Sequence, residues 1–151
     1  MRLHLFQMAD LSSDPFDLER FVQAQAADYD RALSELRDGE KRSHWMWYIF
    51  PQIEGLGNSP MSLRYSIKSA AEALAYLGHP VLGPRLQECA AVVHSIVGRS
   101  ALQIFGSPDD LKLRSCATLF ASVSNDGVFE QLLRKYFSGK HDSETLRLLR
   151  E

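Results

Sequence analysis

Apolar residues recur every three or four positions along most of this chain, and a glycine ends nearly every segment of that kind. This spacing places the apolar side chains on one face of an α-helix, and a glycine after the last of them is typical of a helix C-terminus. The clearest segment runs from Leu82 to Val97 and stops at Gly98. We find no run of strand length that alternates between apolar and polar residues. The sequence therefore predicts an all-α protein whose longest helix lies between Val81 and Gly98.

Several of these segments begin with residues that favour a helix N-terminus. A capping side chain stands directly before a proline twice, and proline fits the first turn of a helix. The alanine-rich residues 24–28 are compatible with a bend or with an uninterrupted helix. Counted in this way, the chain contains about seven helices in one compact bundle. The predicted caps are Asp14 before Pro15, Ser107 before Pro108, and either Asp142 or Ser143.

Length and charge limit the class of protein. A chain of 151 residues with 45% apolar residues is about the size of one domain and can bury a core of its own. We predict that residues 14–151 form this domain and that residues 1–13 are an N-terminal extension that could be flexible. The net charge of -2 argues against non-specific binding to nucleic acid or to anionic membranes. Because no apolar run approaches the ~18 residues of a membrane span and no signal peptide is evident, we expect a cytoplasmic protein.

The cysteines and histidines give no sign of a metal centre. Cys89 and Cys116 lie in two different apolar helical segments, and no CxxC occurs. We expect both thiols to be reduced, at least partly buried and not bonded to each other. The five histidines lack the spacings of metal-binding motifs, so we predict neither a metal site nor a cofactor. They are His4, His44, His79, His94 and His141.

Two tryptophans, a tyrosine and a phenylalanine lie within the six residues from Trp45 to Phe50. We predict a helix for this run, because good helix formers lead up to it from Arg31 and Pro51 stops it. On a helix, the side chains of His44, Trp47 and Tyr48 share one face, and their neighbours point away from it. The expected core residues are Trp45, Met46, Ile49 and Phe50, whereas His44, Trp47 and Tyr48 are expected to line a cleft.

The residues around this run suit a nucleotide-like or ADP-ribose-like ligand. Aromatic rings stack on bases, cations hold phosphate, and a glycine loop brings backbone N–H groups close to a ligand. We expect the loop of residues 52–59 to fold over the cleft. His44 is the tentative catalytic residue, since imidazole transfers protons near neutral pH. The predicted ligand-binding residues are Lys41, Arg42, Trp47, Tyr48, Gln52, Gly55, Gly57, Ser59, Arg64 and Lys112.

Two other interpretations stay open. The aromatic run could be a partly exposed patch of a protein-interaction module that performs no chemistry. It could also be a scaffold in which these residues only build the fold. The loop GLGNS matches neither a P-loop nor a dinucleotide-binding motif. Lys112, Ser115, Cys116 and Thr118 form a further polar group, which we interpret as a solvated helix face.

The string GEKRSHWMWYIFPQIEGLGNSPMSLRYSI resembles the signature of domain-of-unknown-function family eighteen-ten, a family of small and mostly bacterial proteins. The similarity continues through LAYLGHPVLGPRLQEC and IFGSPDDLKLRSCATLF to DSETLRLL, from about Asp17 to Leu149. It implies a compact, all-helical, cytoplasmic domain with no established activity. Some genomes label such proteins calpastatin, but calpain inhibitors are long, disordered and built from repeats.

The signature residues include several that are polar or glycine, which are poor material for a core. The resemblance therefore favours a pocket and adds Tyr65 to the predicted ligand-binding residues. The signature falls on His44, Trp45, Trp47, Pro51, Gln52, Gly55, Gly57, Ser59, Tyr65, His79, Pro80, Lys112, Thr118, Leu119 and Phe120.

Overall fold

The computed structural model of the protein describes residues 13–125 and 127–151. Within these residues the chain forms nine helices and no strand, which confirms the all-α class but exceeds the expected number of about seven. Residues 1–12, and with them most of the predicted N-terminal extension and His4, lie outside the described residues. The helices are α1 (Glu19–Arg37), α2 (Met46–Ile49), α3 (Pro60–Arg64), α4 (Ala70–Gly78), α5 (Leu82–Ser95), α6 (Ala101–Phe105), α7 (Asp109–Val123), α8 (Gly127–Phe137) and α9 (Ser143–Arg150).

Helix α1 is the longest of the described helices, with 19 residues against 14 in α5. The prediction that the longest helix lies between Val81 and Gly98 is therefore wrong. The alanine-rich residues 24–28 continue the helix, as expected from the high helix propensity of alanine. The carboxylate of Asp14 accepts the backbone N–H groups of Leu18 and Glu19 at 2.8 and 3.0 Å. Leu18, and not the predicted Asp14, is the N-cap residue of α1, but the Asp14 carboxylate still satisfies the first N–H group of the helix.

The aromatic run is helical for only four residues, Met46–Ile49. The residues from Arg31 onward do not continue as one helix into this run, because α1 ends at Arg37, just before the positive-φ Gly39. The buried carboxylate of Glu35 holds the segment that follows. It accepts hydrogen bonds from the backbone N–H groups of Arg42 and Ser43, the Ser43 hydroxyl and the Trp45 indole. These bonds draw the chain back across the end of α1.

Helix α7 is the central element, since it packs against α4, α6, α8 and α9. This position corrects the prediction of a solvated face, because Ser115, Cys116 and Thr118 are all buried. The Thr118 hydroxyl donates to the carbonyl of Arg114 at 2.8 Å, so its burial leaves it satisfied. Pro108, and not the predicted Ser107, occupies the N-cap position of α7.

The core is strongly aromatic. Trp45, Phe50 and Phe120 are among its largest fully buried side chains, and the Phe50 and Phe105 rings meet edge to face with centroids 5.8 Å apart. Cys89 and Cys116 are buried and free, as predicted. Asp142 caps α9 by accepting the backbone N–H of Thr145 at 2.9 Å. The expected burial of Trp45, Met46, Ile49 and Phe50 is confirmed.

A buried ion pair joins α1 to α4. Nη2 of Arg20 lies 2.8 Å from Oε2 of Glu72, and the two side chains are 7% and 1% exposed. The remaining Arg20 donors reach four backbone carbonyls, among them those of Arg64 and Ser66 at 2.8 and 2.7 Å. Because a buried charge is tolerated only when it is fully paired, this arrangement fixes the path of residues 64–66.

Candidate functional site

A concave cavity of about 280 Å³ lies between four parts of the chain. They are the loop that joins α2 to α3, helix α3 with the residues directly after it, the first turns of α7, and the start of α9. We call it the main cavity. Six of the predicted ligand-binding residues line it, from distant parts of the sequence. The full lining is Trp47, Gln52, Ile53, Gly55, Leu56, Gly57, Ser62, Tyr65, Ser66, Pro108, Leu111, Lys112, Ser115, Asp142 and Glu144.

Trp47 and Lys112 form one wall of the main cavity. Trp47 is only partly buried, although the residues on both sides of it in α2 are buried. The ammonium group of Lys112 lies 5.2 Å from the centroid of the Trp47 ring, within cation–π distance. The same ammonium group is 3.3 Å from a carboxylate oxygen of Asp109. The lysine side chain is 27% exposed, so its charge remains accessible from the cavity.

The loop of residues 52–57 forms the opposite wall. The backbone N–H of Glu54 donates to the carbonyl of Ile67, and that of Ile67 donates to the carbonyl of Gln52, both at 2.8 Å. Gly55 has a φ of +109°, and a Cβ atom there would meet the Leu148 side chain at 3.0 Å. Glycine is therefore required on both conformational and packing grounds. The loop lines the cavity through Gly55, Leu56 and Gly57.

Several polar groups of the main cavity are free to bind a ligand. Within residues 13–125 and 127–151, neither the indole N–H of Trp47 nor the carboxamide of Gln52 has a hydrogen-bond partner. The Tyr65 hydroxyl accepts a hydrogen bond from Nε of Arg64 at 3.2 Å, and its own proton remains available. The Ser115 hydroxyl donates to the carbonyl of Leu111 at 3.2 Å and can still accept.

The charged groups of the main cavity include more carboxylates than cations. Asp142 and Glu144 face Lys112 across it. Oδ2 of Asp142 already accepts both the backbone N–H and the hydroxyl of Thr145. Glu144 is exposed and binds Arg147, whose hydrogen bonds lower the pKa of this carboxyl. A neutral polar ligand suits this balance better than an anionic one.

A second cleft of about 360 Å³ adjoins the main cavity, because Trp47 and Pro108 line both. His44, Lys41 and Arg42 lie here and not in the main cavity. The ammonium group of Lys41 is 2.8 Å from Oδ2 of Asp109 and donates to the carbonyl of Ser43 at 2.6 Å. The second cleft is lined by Lys41, Arg42, Ser43, His44, Met46, Trp47, Phe105, Ser107, Pro108 and Asp109.

Tyr48 does not line either cavity, contrary to the expectation that it shares a cleft with His44 and Trp47. Its side chain is buried, its hydroxyl donates to the carboxylate of Asp28, and its carbonyl accepts from Gln25 at 2.7 Å. Burial and the hydrogen bond to Asp28 together raise the pKa of the Tyr48 hydroxyl. The short helix turns this ring towards α1, where Asp28 accepts from its hydroxyl and Gln25 donates to the backbone carbonyl.

Two further predicted residues lie outside the main cavity and the second cleft. Ser59 is the N-cap of α3 and accepts the backbone N–H of Ser62 at 3.2 Å. Arg64 is exposed and donates to the hydroxyl of Tyr65, so it borders the main cavity without lining it. Sequence patterns did not indicate Asp142 and Glu144, which reach the cavity because α9 packs on α7. Their only sequence signal is that of a helix N-terminus.

Two features are absent from the described part of the chain. No three His, Cys, Asp or Glu side chains come together there as the ligands of a metal ion would. None of its helices is both long enough and apolar enough to cross a membrane.

Comparison with known proteins places the chain in a family. The family model described as "Protein of unknown function (DUF1810)" matches residues 15–149, so the chain belongs to this family, as its signature indicated. A solved structure, that of the conserved hypothetical protein Rv1873 from Mycobacterium tuberculosis, is 54% identical to it. The two structures superpose with a TM-score of 0.90 over 91% of this chain and 99% of the other. No curated protein matches the chain.

Proposed function

We propose that the protein binds a small nucleotide-like ligand, with the nucleoside part in the main cavity. The observation that carries this proposal is that one concave space is lined by the unpartnered polar groups of Trp47 and Gln52 and by the Tyr65 hydroxyl, whose proton is still available. Binding sites for small molecules combine apolar walls with a few polar groups that fix orientation, and their volumes are typically ~300–1,000 Å³. The main cavity, at about 280 Å³, is just below the lower limit of this range.

The chemistry of the lining favours a ring that carries hydroxyl and amino groups. The Trp47 and Tyr65 rings offer apolar surface against which a planar base can pack. The serine hydroxyls and the Gln52 carboxamide can exchange hydrogen bonds with base edges. Carboxylates accept hydrogen bonds from the hydroxyls of a ribose, a role open to the second oxygen of Asp142.

His44 has a different place in this proposal. It lies in the second cleft, is exposed, and shares a wall with the main cavity through Trp47. Its tentative catalytic role requires a reacting group that extends past Trp47 into that cleft. The free, buried thiols of Cys89 and Cys116 support the cytoplasmic location that such a ligand suits, because reducing compartments keep thiols unpaired.

A thermal-shift screen with the common nucleosides and nucleotides tests the proposal. A compound present at ~100 times its Kd stabilises the folded protein by about 2.7 kcal/mol. Affinity for the best compound is then measured by calorimetry in the variant Gln52→Met. Because the Gln52 carboxamide has no partner in the described chain, this change costs no hydrogen bond within the protein. We expect roughly tenfold weaker binding with the unfolding free energy unchanged.

The matched control is Gln131→Met, which makes the same change on the exposed surface of α8. It should leave both affinity and stability at the wild-type values. If no nucleoside or nucleotide stabilises the protein, or if Gln52→Met binds as tightly as the wild type, the main cavity is not the site we propose.

The alternative of a protein-interaction module rests on Leu111, whose side chain lines the main cavity and is 55% exposed. An apolar side chain at the rim of a cavity can anchor a partner protein. The variant Leu111→Glu distinguishes the two functions. It should abolish co-purification of a partner in the interaction model, whereas a nucleoside held deeper in the cavity should lose little affinity.

A further inference from the structure

We infer that the second cleft is an anion subsite that binds the phosphate of the same ligand, so that the ligand is a nucleoside phosphate and not a free nucleoside. This inference rests on the proposed function, because it places the nucleoside in the main cavity. It adds the position of the charged group and the residues that recognise it.

The geometry joins the two spaces. Trp47 and Pro108 each line both the main cavity and the second cleft, so a ligand that packs on the Trp47 ring has direct access to both. The cleft volume of about 360 Å³ exceeds what a single phosphate group requires. A substituent attached to the nucleoside on the side that faces Trp47 can therefore extend into the second cleft.

The charges of the two spaces differ in sign. Two carboxylates and one ammonium group line the main cavity, whereas Lys41 and Arg42 line the second cleft with only one carboxylate, that of Asp109. Lys112 also contacts Asp109, at 3.3 Å, so two ammonium groups share this single carboxylate. A phosphate is repelled from the first space and attracted to the second.

The cations of the second cleft are arranged to accept an anion. The ammonium group of Lys41 is held in place by Asp109, by the carbonyl of Ser43 and by the ring of Trp45, whose centroid is 5.0 Å away. Its side chain is only 7% exposed. A charge fixed before binding costs little entropy to use.

Arg42 and His44 supply adaptable donors. Arg42 is exposed and pairs with Asp38 and Glu40, which lie outside the cleft, at 3.2 and 3.3 Å. Surface pairs of this kind are weak and can be exchanged for a phosphate. No partner for the His44 imidazole lies within the described residues, and an imidazole N–H donates readily to phosphate oxygens. Both side chains point to recognition of the anion.

The test compares matched pairs of compounds by calorimetry. Adenosine, guanosine, cytidine and uridine are each titrated beside their 5′-monophosphates into the wild type and into the variants Arg42→Gln and His44→Gln. In the wild type, the monophosphate of the preferred nucleoside should bind roughly tenfold to hundredfold more tightly than the nucleoside. Each variant should lose most of this gain and should bind the nucleoside as before.

Matched controls are Arg31→Gln and His94→Gln. Arg31 is also exposed and also pairs with a nearby aspartate, but it lines neither space. The inference is overturned if the monophosphate binds no more tightly than the nucleoside, or if the gain survives in both variants. It is likewise overturned if Lys112→Gln, and not the cleft variants, removes the gain. These results would leave nucleoside binding intact, whereas binding of neither compound would overturn the proposed function as well.

Discussion

The carboxylate of Glu35 anchors the short segment from Arg42 to Trp45, which contributes to the second cleft and leads into Trp47. It accepts four hydrogen bonds from Arg42, Ser43 and Trp45, at 2.6 to 3.0 Å. Burial alone raises the pKa of this carboxyl, but the hydrogen bonds from Ser43, Arg42 and Trp45 outweigh it and lower the pKa to about 2. The chain after α1 is therefore anchored at a charged point, and α2 starts one residue after the last donor.

Replacing Glu35 by glutamine should weaken the fold. The amide nitrogen of Glu35→Gln would face N–H donors that now point at an oxygen, so at least one of them would lose its acceptor. We expect a loss of roughly 2–4 kcal/mol in the free energy of unfolding, measured with urea. The control Glu40→Gln removes an exposed carboxylate, 56% accessible, and should change stability far less. Equal effects of the two substitutions would show that the Glu35 network does not stabilise the protein.

The neighbours His44 and Trp45 should respond to alanine in opposite ways. Trp45 is fully buried and its indole N–H donates to Glu35 at 2.9 Å, so Trp45→Ala should cost about 3–5 kcal/mol of stability. His44 is exposed, so His44→Ala should change stability by less than about 0.5 kcal/mol. Chemical denaturation of both variants measures the difference. A destabilised His44→Ala beside a stable Trp45→Ala would contradict the assignment of core and surface.

Sequence spacing was sufficient to predict which side chains are buried in only half of the aromatic run. The burial of Trp45 and Ile49 could be predicted because one helical turn separates them. The burial of Tyr48 could not, because its partners Gln25 and Asp28 lie some twenty positions earlier, on α1. Whether a polar aromatic side chain faces a cleft or the interior depends on such distant partners, which local periodicity does not contain.

Among the elements, α4 and α5 approach each other closely at the corner between them. A Cβ atom on Gly83 would lie 2.1 Å from the carbonyl oxygen of Leu77, which belongs to the preceding helix. Nδ1 of His79 accepts the backbone N–H groups of Val81 and Leu82 at 3.1 and 3.2 Å and so caps the start of α5. The corner thus depends on one glycine for space and on one histidine for hydrogen bonds.

Gly83→Ala should therefore separate the two helices. The added methyl group cannot be accommodated by a side-chain movement, since the atom it meets belongs to the backbone. We expect a loss of about 3 kcal/mol, read from urea unfolding. Gly78→Ala is the matched control, because a Cβ there meets no atom within 4 Å at the end of the neighbouring helix. That variant should be neutral or slightly more stable, and equal destabilisation of both would show that close approach at Gly83 is not the cause.

Helix ends were easier to predict than helix continuity. Gly98, Gly106 and Gly139 all have positive φ and follow helices that the sequence had delimited. The end of α1 carried the same signal, since Gly39, with a φ of +76°, follows Arg37 by two residues. The path of the next residues carried none, because it depends on hydrogen bonds to the side chain of Glu35. The close approach of α4 to Gly83 could not be predicted either. A glycine inside an apolar helical pattern reveals its packing role only when the position of the neighbouring helix is known.

At the scale of the whole molecule, folding buries some titratable groups whose pKa it raises and others whose pKa it lowers. Burial raises the pKa of the Cys89 thiol to about 12 and also raises those of Cys116 and Tyr76. These three groups lie in the same core, and the fold keeps them protonated. Glu35, at the edge of that core, is a buried carboxyl whose pKa the fold lowers, so that it stays ionised. Stability should therefore have an acidic and an alkaline limit with different origins.

On the acidic side, Glu35 is half protonated near its ordinary pKa of 4.5 in the unfolded chain but only near about 2 in the folded protein. A lowered pKa contributes stability that is complete above the unfolded value and is lost as pH falls towards the folded value. The contribution is about 3 kcal/mol at neutral pH. Stability should fall between about pH 5 and about pH 2. In Glu35→Gln, the slope of the unfolding free energy against pH should be smaller in this range, by the amount that corresponds to the uptake of about one proton.

On the alkaline side the sign is reversed. The Cys89 thiol loses its proton near its ordinary pKa of 9.0 when the chain is unfolded, but only near about 12 when it is folded. A raised pKa gives stability that is present below the unfolded value and is lost above it, so stability should decline from about pH 9 upward.

Urea unfolding from about pH 3 to about pH 11 should therefore show a plateau between about pH 5 and about pH 9. Cys89→Ala, compared at each pH with its own value at neutral pH, should lose less stability across the alkaline limb than the wild type. If the alkaline decline is equally steep in Cys89→Ala, that decline originates from the tyrosines and Cys116 alone. If the acidic decline is equally steep in Glu35→Gln, Glu35 is not its origin.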